Sequence, residues 1–275
     1  MRKAMVGAFV FGLALTFSAR VGAEPLKVVS TSLAPKMATE QLVVHSAALD
    51  RDVLIEVTRP FAPLASDQKA PTVYLLDGGY EFAGLEGWML GGSGGMKPAY
   101  MVAVGYKPAD YGKRDADLTS QPVTRGGHTE PGRALAYRAF LIDELRPFIE
   151  ARYSVDPGKA VLVGHSSGGS FAAALLADRP AAFSGYVIGS PAIWNEPDLV
   201  TRVAAARGRG ERIFVAVGGD EGARMAEGVG RLAAALKGNK ALSVHSQVFP
   251  SATHLSYYPE LIAQGLAYVL PPKAP

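Results

Sequence analysis

Short apolar runs alternate with amphipathic stretches along most of the 275-residue chain. Residues 42–57 alternate apolar and polar positions and break near Asp50-Arg51-Asp52, which predicts a hairpin. Continuous apolar runs at 73–76, 100–104, 160–163, 185–188 and 213–217 read as buried strands, and 242–249 as a further, alternating one. Helical periodicity is seen at 132–153, directly after the run 160–163, near 197–206, and at 223–236 and 257–270. Residues 105–131 are polar and carry no clear element. Loops this long in compact domains usually serve function, so this one is expected to form part of a pocket wall. Strands alternating with helices predict an α/β fold, a mostly parallel central sheet with helices on both faces. No internal repeat is visible.

The turn after the run 160–163 carries the strongest chemical signal. Gly164-His165-Ser166-Ser167-Gly168 spell G-x-S-x-G between a predicted strand and a predicted helix. A serine on so tight a turn is pushed out at the top of the sheet, and the glycines are there because larger side chains would clash. An ordinary Gly/Ser loop would lack this strand–turn–helix setting. A serine hydroxyl needs a base to take its proton and a carboxylate to orient that base. Of His45, His128, His165, His245 and His254, only the last two follow Ser166. His245 lies within an alternating strand. His254 lies on a loop just past that strand, where a base can reach the turn, so His254 is the expected base. His165 is expected to pack with its side chain away from substrate, and His128 to be a solvated loop residue. Asp220 and Glu221 both follow the run 213–217, and either could orient His254, the other serving the start of the next helix. The oxyanion needs two N–H donors. One is expected from Ser167 and the other from the Asp77-Gly78-Gly79-Tyr80 loop after the run 73–76.

These residues resemble the putative-esterase branch of the α/β-hydrolases, which includes esterase D, the catecholate siderophore esterases and the mycolyltransferases. The resemblance is carried in order by VYLLDG (73–78), RDADLT (114–119), FLIDELRPFIEARY (140–153), VGHSSGG (163–169), FSGYVIGSPAIW (183–194) and the late His254. It runs from about residue 40 to the C-terminus. It implies an α/β-hydrolase fold, Ser166 as nucleophile, His254 as base and Gly79 as the second oxyanion donor. A V-G-x-x-E pattern at 217–221 favours Glu221 over Asp220. The family's R-x-x-D-L-T-P segment ends here in Ser120. By resemblance Arg114 is a candidate anion contact, with Asp77 and Trp194 as further substrate-binding candidates. The competing role for Arg114 is a salt bridge to Asp115 or Asp117.

The N-terminus changes the domain and charge picture. Arg2-Lys3, an apolar stretch at 4–17 and Val21-Gly22-Ala23 form the pattern of a cleavable signal peptide, residues 1–23. Residues 24–40 are expected to be an N-terminal strand or tether, and 41–275 one α/β-hydrolase domain. That length supports a sizeable core. The formal charge of +3 falls to zero once Arg2, Lys3 and Arg20 are removed, which speaks against nucleic acid as a partner. The apolar stretch is short for a membrane span. With no cysteine and no H-E-x-x-H or H-x-x-E-H spacing, no thiol nucleophile, metal site or cofactor is expected. The expected function is an exported, periplasmic or secreted, serine carboxylic ester hydrolase working through an acyl-enzyme. Its partner is a small-molecule ester, an aromatic ester or a catecholate lactone of a ferric siderophore. The alternatives are an acyltransferase using the same residues and a binding protein that kept the fold without turnover.

Overall fold

The computed structural model describes residues 39–60, 64–65, 67–78, 99–196 and 198–270. Among the described residues the sheet has eight strands in the order β1-β2-β4-β3-β7-β8-β9-β10, of which only β2 runs against the others. These are β1 (Thr39–Ser46), β2 (Arg51–Thr58), β3 (Ala70–Gly78), β4 (Tyr100–Gly105), β7 (Val155–His165), β8 (Gly185–Gly189), β9 (Arg212–Gly218) and β10 (Ser243–Phe249). A small hairpin, β5 (Val123–Arg125) and β6 (His128–Glu130), stands apart.

The strand pleat divides the core into two layers. On β7, Leu162 joins one apolar cluster while Val161 and Val163 join the other, because successive side chains point to opposite faces. The first layer is covered by α1 (residues 134–152), α2 (Ser167–Asp178), α3 (Leu199–Ala204) and α4 (Ala223–Gly238). The second is covered by α5 (Tyr258–Val269). Both faces therefore carry helices, unequally. On α4 the buried residues Met225, Gly228, Val229, Leu232, Ala233 and Leu236 form one stripe, which is what a one-sided helix needs. Helix α2 is buried on nearly every side.

Two expectations need correction. The segment 105–131 is not a featureless loop: it holds a helical turn at Pro108–Lys113 and Arg114–Asp117, then the β5–β6 hairpin. Polar composition hid it because, among its described residues, only Ala116 and Leu118 are buried apolar residues, beside a buried ionic contact. Asp117 is fully buried and accepts from both guanidinium nitrogens of Arg51. Helix α1 is also interrupted, passing through a π turn at Phe140–Leu145 between Ala134–Ala139 and Arg146–Arg152. Pro147 explains this, since its ring would clash with the carbonyl four residues back in a regular helix.

The chain ends of the parallel strands converge where β7 passes into α2. There Ser166 has φ 58° and ψ −121°, a conformation an L-residue adopts only under constraint. Gly164 makes the turn possible: a Cβ there would lie 2.5 Å from the Gly168 carbonyl carbon and closer still to its oxygen. Both obstacles are backbone and cannot rotate away. Gly164→Ala should therefore cost about 2–3 kcal/mol in a urea unfolding titration; an unchanged midpoint would show the turn to be looser than this.

Candidate active site

Each side chain of the site lies at or beyond the C-terminal end of a parallel strand, where open α/β sheets place their ligand crevices. Asp77 is the penultimate residue of β3, Ser166 follows β7, Ser190 follows β8, Glu221 follows β9, and His254 follows β10. Asp77, Ser166 and Ser190 all take positive φ, at 63°, 58° and 36°. The sheet ends are thus held in strained turns that aim side chains into one region.

Ser166 is fixed through its backbone. Its N–H donates to Gly189 O at 2.9 Å, and its carbonyl accepts from Ala192 N at 3.2 Å and from Ser170 N at 3.0 Å. Ser167 opens α2 and is buried. At this first helical position the N–H lacks an intrahelical partner and points toward the helix's positive end. The other expected oxyanion donor, Gly79, lies outside the described residues, as do residues 1–38.

The two acid candidates separate clearly. Glu221 has a side chain only 2% exposed, and its Oε2 lies 2.5 Å from His254 Nδ1. Its Oε1 accepts from Gly218 N at 2.6 Å and from Ser190 Oγ. Asp220 is exposed, and its side chain makes no hydrogen bond among the described residues. It serves instead through its backbone: Asp220 N donates to Ala252 O at 2.9 Å, and Gly219 N to Phe249 O at 2.8 Å. These bonds tie the His254 loop to the β9 loop. Neither carboxylate occupies the first turn of α4, whose N-cap is Gly222 at φ 83°; the expected helix-end role for the second acid is not met.

His165 is buried, as expected of a packed residue, but it packs on His254 itself. The two rings lie 4.5 Å apart, with Tyr257 and Tyr258 edge-on to His165. Its contact joins the serine turn to the histidine loop. Among the described residues no hydrogen bond yet joins Ser166 Oγ to His254, a bond that commonly tightens only when substrate is bound. His245 lies on β10, exposed and stacked on Phe214 at 5.4 Å, and His128 is exposed on β6.

A family model for the putative esterases matches residues 46–268. The chain belongs to that family. It is an esterase, a hydrolase of the α/β-hydrolase fold. It is 27% identical over 264 residues to the ferri-bacillibactin esterase BesA of Bacillus subtilis (strain 168), covering 86% of this chain and 91% of that one. Among solved structures it resembles the BES protein of Bacillus cereus, with a TM-score of 0.76 and 27% identity over 89% of this chain and 99% of that one. The siderophore hydrolase EstB of Aspergillus nidulans shares the fold, with a TM-score of 0.71 and 21% identity over 88% and 98% of the two chains.

The remaining residues picked out from the esterase sequence are Arg114, Asp77 and Trp194. Arg114 is paired, but with neither of the anticipated partners alone. Its Nε and Nη2 lie 2.5 and 2.6 Å from the two oxygens of Asp77, and Nη1 is 3.1 Å from Asp115. Burial disfavours its charge, but the Asp77 bonds and neighbouring charges outweigh this and raise its pKa. Asp77 is therefore a partner of Arg114 and an anchor for the end of β3. Asp117 instead holds Arg51. Trp194 is 40% exposed on the turn Ile193–Asn195, and the Arg224 guanidinium sits 4.3 Å from its ring centre. Among the described residues there is no cluster suited to a metal ion and no helix long and apolar enough to cross a membrane.

Burial, and next the charges of His254 and Arg114, bring the pKa of His165 down from 6.5 to about 3. The folded protein thus binds fewer protons at this site than the unfolded chain does. The stability it contributes is present above the ordinary imidazole range and is lost as pH falls from 6.5 toward 3. Replacing His165 with Phe removes that proton uptake. Urea midpoints at pH 7 and 4.5 should diverge less for His165→Phe than for wild type, and equal slopes would mean that His165 does not titrate in this way.

Proposed function

We propose that this esterase cleaves carboxylic esters through an acyl-enzyme on Ser166. The observation that carries the reading is the buried Glu221 carboxylate 2.5 Å from His254 Nδ1, beside the strained turn at Ser166. Glu221 fixes the ring so that Nε2 is the basic nitrogen, and it stabilises the imidazolium that forms. Ser166 Oγ attacks the ester carbonyl carbon while its proton passes to His254 Nε2. The Ser167 N–H donates to the oxyanion. When the tetrahedral intermediate collapses, the ester C–O bond breaks and the leaving alkoxide takes the proton from His254. Water then attacks the acyl-enzyme, giving a proton to His254, and Ser166 regains a proton as the acid departs.

For the substrate we propose a siderophore ester or a related aromatic ester. Support comes from the similarity to the ferri-bacillibactin esterase across 91% of that enzyme. A ferric complex would be substrate here, not a resident cofactor. Export is likewise proposed, on the Arg2-Lys3, 4–17 and Val21-Gly22-Ala23 pattern. An intact mass beginning at Glu24 for protein recovered outside the cytoplasm tests it.

Turnover of p-nitrophenyl butyrate and of a ferric tri-catecholate lactone tests the chemistry. Ser166→Ala and His254→Ala should each lose roughly three or more decades of kcat, while His245→Ala stays within about twofold of wild type. A fluorophosphonate should label wild type at Ser166 and leave Ser166→Ala unlabelled. Full activity in a folded Ser166→Ala protein would falsify the nucleophile. A protein active on the butyrate ester but inert toward the lactone would remove the siderophore part alone.

Arg114 provides a separate test. Since its fork is committed to Asp77, Arg114→Ala should lower the melting temperature and slow the neutral and the catecholate esters alike. A loss confined to the catecholate ester would return Arg114 to direct substrate contact.

A further inference from the structure

Ser190 is fully buried and follows the last residue of β8. Its φ of 36° is a conformation that glycine would adopt without strain. Serine carries a Cβ that the backbone there disfavours, so the hydroxyl is the part to account for. Ser190 N donates to Ala216 O at 2.8 Å, which fixes the residue against β9. Its Oγ contacts Glu221 Oε1 on one side and the Tyr257 hydroxyl on the other.

The proton count gives this chain a direction. A serine hydroxyl has one proton, and a carboxylate oxygen can only accept. The Ser190 proton therefore goes to Glu221, and Tyr257 donates to Ser190 Oγ. Tyr257 is 2% exposed, and burial raises its pKa, which keeps its proton in place. Gly218 N adds a second donor to the same oxygen at 2.6 Å. With Oε1 held by Ser190 and Gly218, Oε2 is turned to His254 Nδ1.

We infer that Ser190, backed by Tyr257, is a positioning residue that sets the rotation of the Glu221 carboxylate and so the orientation of His254. The inference rests on the reading of Glu221 as the orienting acid. Ser190 acts only through Glu221, so its effect on the reaction must vanish when the carboxylate is gone.

The test is a double-mutant cycle on the full-length enzyme, with kcat and KM measured on p-nitrophenyl butyrate. Glu221→Gln should lower kcat by more than about tenfold. Ser190→Ala should lower kcat by about tenfold with KM within about twofold, and Tyr257→Phe by a smaller factor. Added to Glu221→Gln, Ser190→Ala should cost less than about twofold. Ser190→Gly deletes the same hydroxyl while relaxing the backbone, so it should lose activity as Ser190→Ala does even where alanine impairs folding. Wild-type kcat in Ser190→Gly, or the same loss from Ser190→Ala with and without the Glu221 carboxylate, overturns the inference and leaves the Glu221 reading standing. Wild-type kcat in Glu221→Gln overturns both.

Discussion

A carboxylate buried beyond the C-terminal ends of the parallel strands organises this end of the molecule. Glu221 is withdrawn from water almost entirely, and a buried charge is tolerated only where hydrogen bonds and an opposite or polarisable partner replace solvent. Those partners come from different parts of the chain: Gly218 from the end of β9, Ser190 from the end of β8, and His254 from the loop after β10. Satisfying the one group therefore draws three segments together. The backbone bonds from Gly219 and Asp220 to Phe249 and Ala252 close the same loops from behind.

The second organising constraint is backbone strain at the strand ends. Asp77, Ser166 and Ser190 each turn through positive φ where a parallel strand stops. Such conformations persist only where the surroundings over-determine them. Here each is pinned differently: Asp77 by the Arg114 fork, Ser166 by Gly189 O, and Ser190 by Ala216 O. The β8 end is shared by two of these. Gly189 receives the Ser166 N–H, and the next residue holds Glu221. The Ser166 turn and the Glu221 carboxylate are thus coupled through one short stretch of chain, and His165 links the same turn to His254 by ring contact.

This arrangement also changes what an arginine near the crevice means. Arg114 has its two ends occupied by Asp77 and Asp115, and Asp115 is itself shared with Arg125. Its charge is balanced within the wall of the site, so its first effect is on the shape of the β3 end. Trp194 with Arg224 over its ring presents a partly exposed face beside the Ser190 stretch.

The sequence by itself determined the features that are local. Alternation and apolar runs marked every strand of the main sheet, because burial on one or both faces leaves a period that neighbouring residues reveal. The G-x-S-x-G turn was readable for the same reason: its glycines are required by backbone contacts within a few residues. The sequence also offered Ser166, an acid at 220 or 221, and His254 in that order along the chain. The V-G-x-x-E pattern favoured Glu221, but only the fold shows that Glu221 and not Asp220 meets His254, since adjacent residues on one loop point in different directions. Tertiary structure alone paired Arg114 with Asp77, 37 residues away, and Asp117 with Arg51, 66 residues away. It alone brought Ser190 and Tyr257 to the carboxylate. Ser190 follows an apolar strand ahead of Pro191 and has no local pattern to mark it; its contacts exist only because β8, β9 and the C-terminal loop end at the same edge of the sheet. Hydrogen bonds between distant segments leave no periodicity in the chain, so a polar residue's partner is fixed by packing and not by spacing.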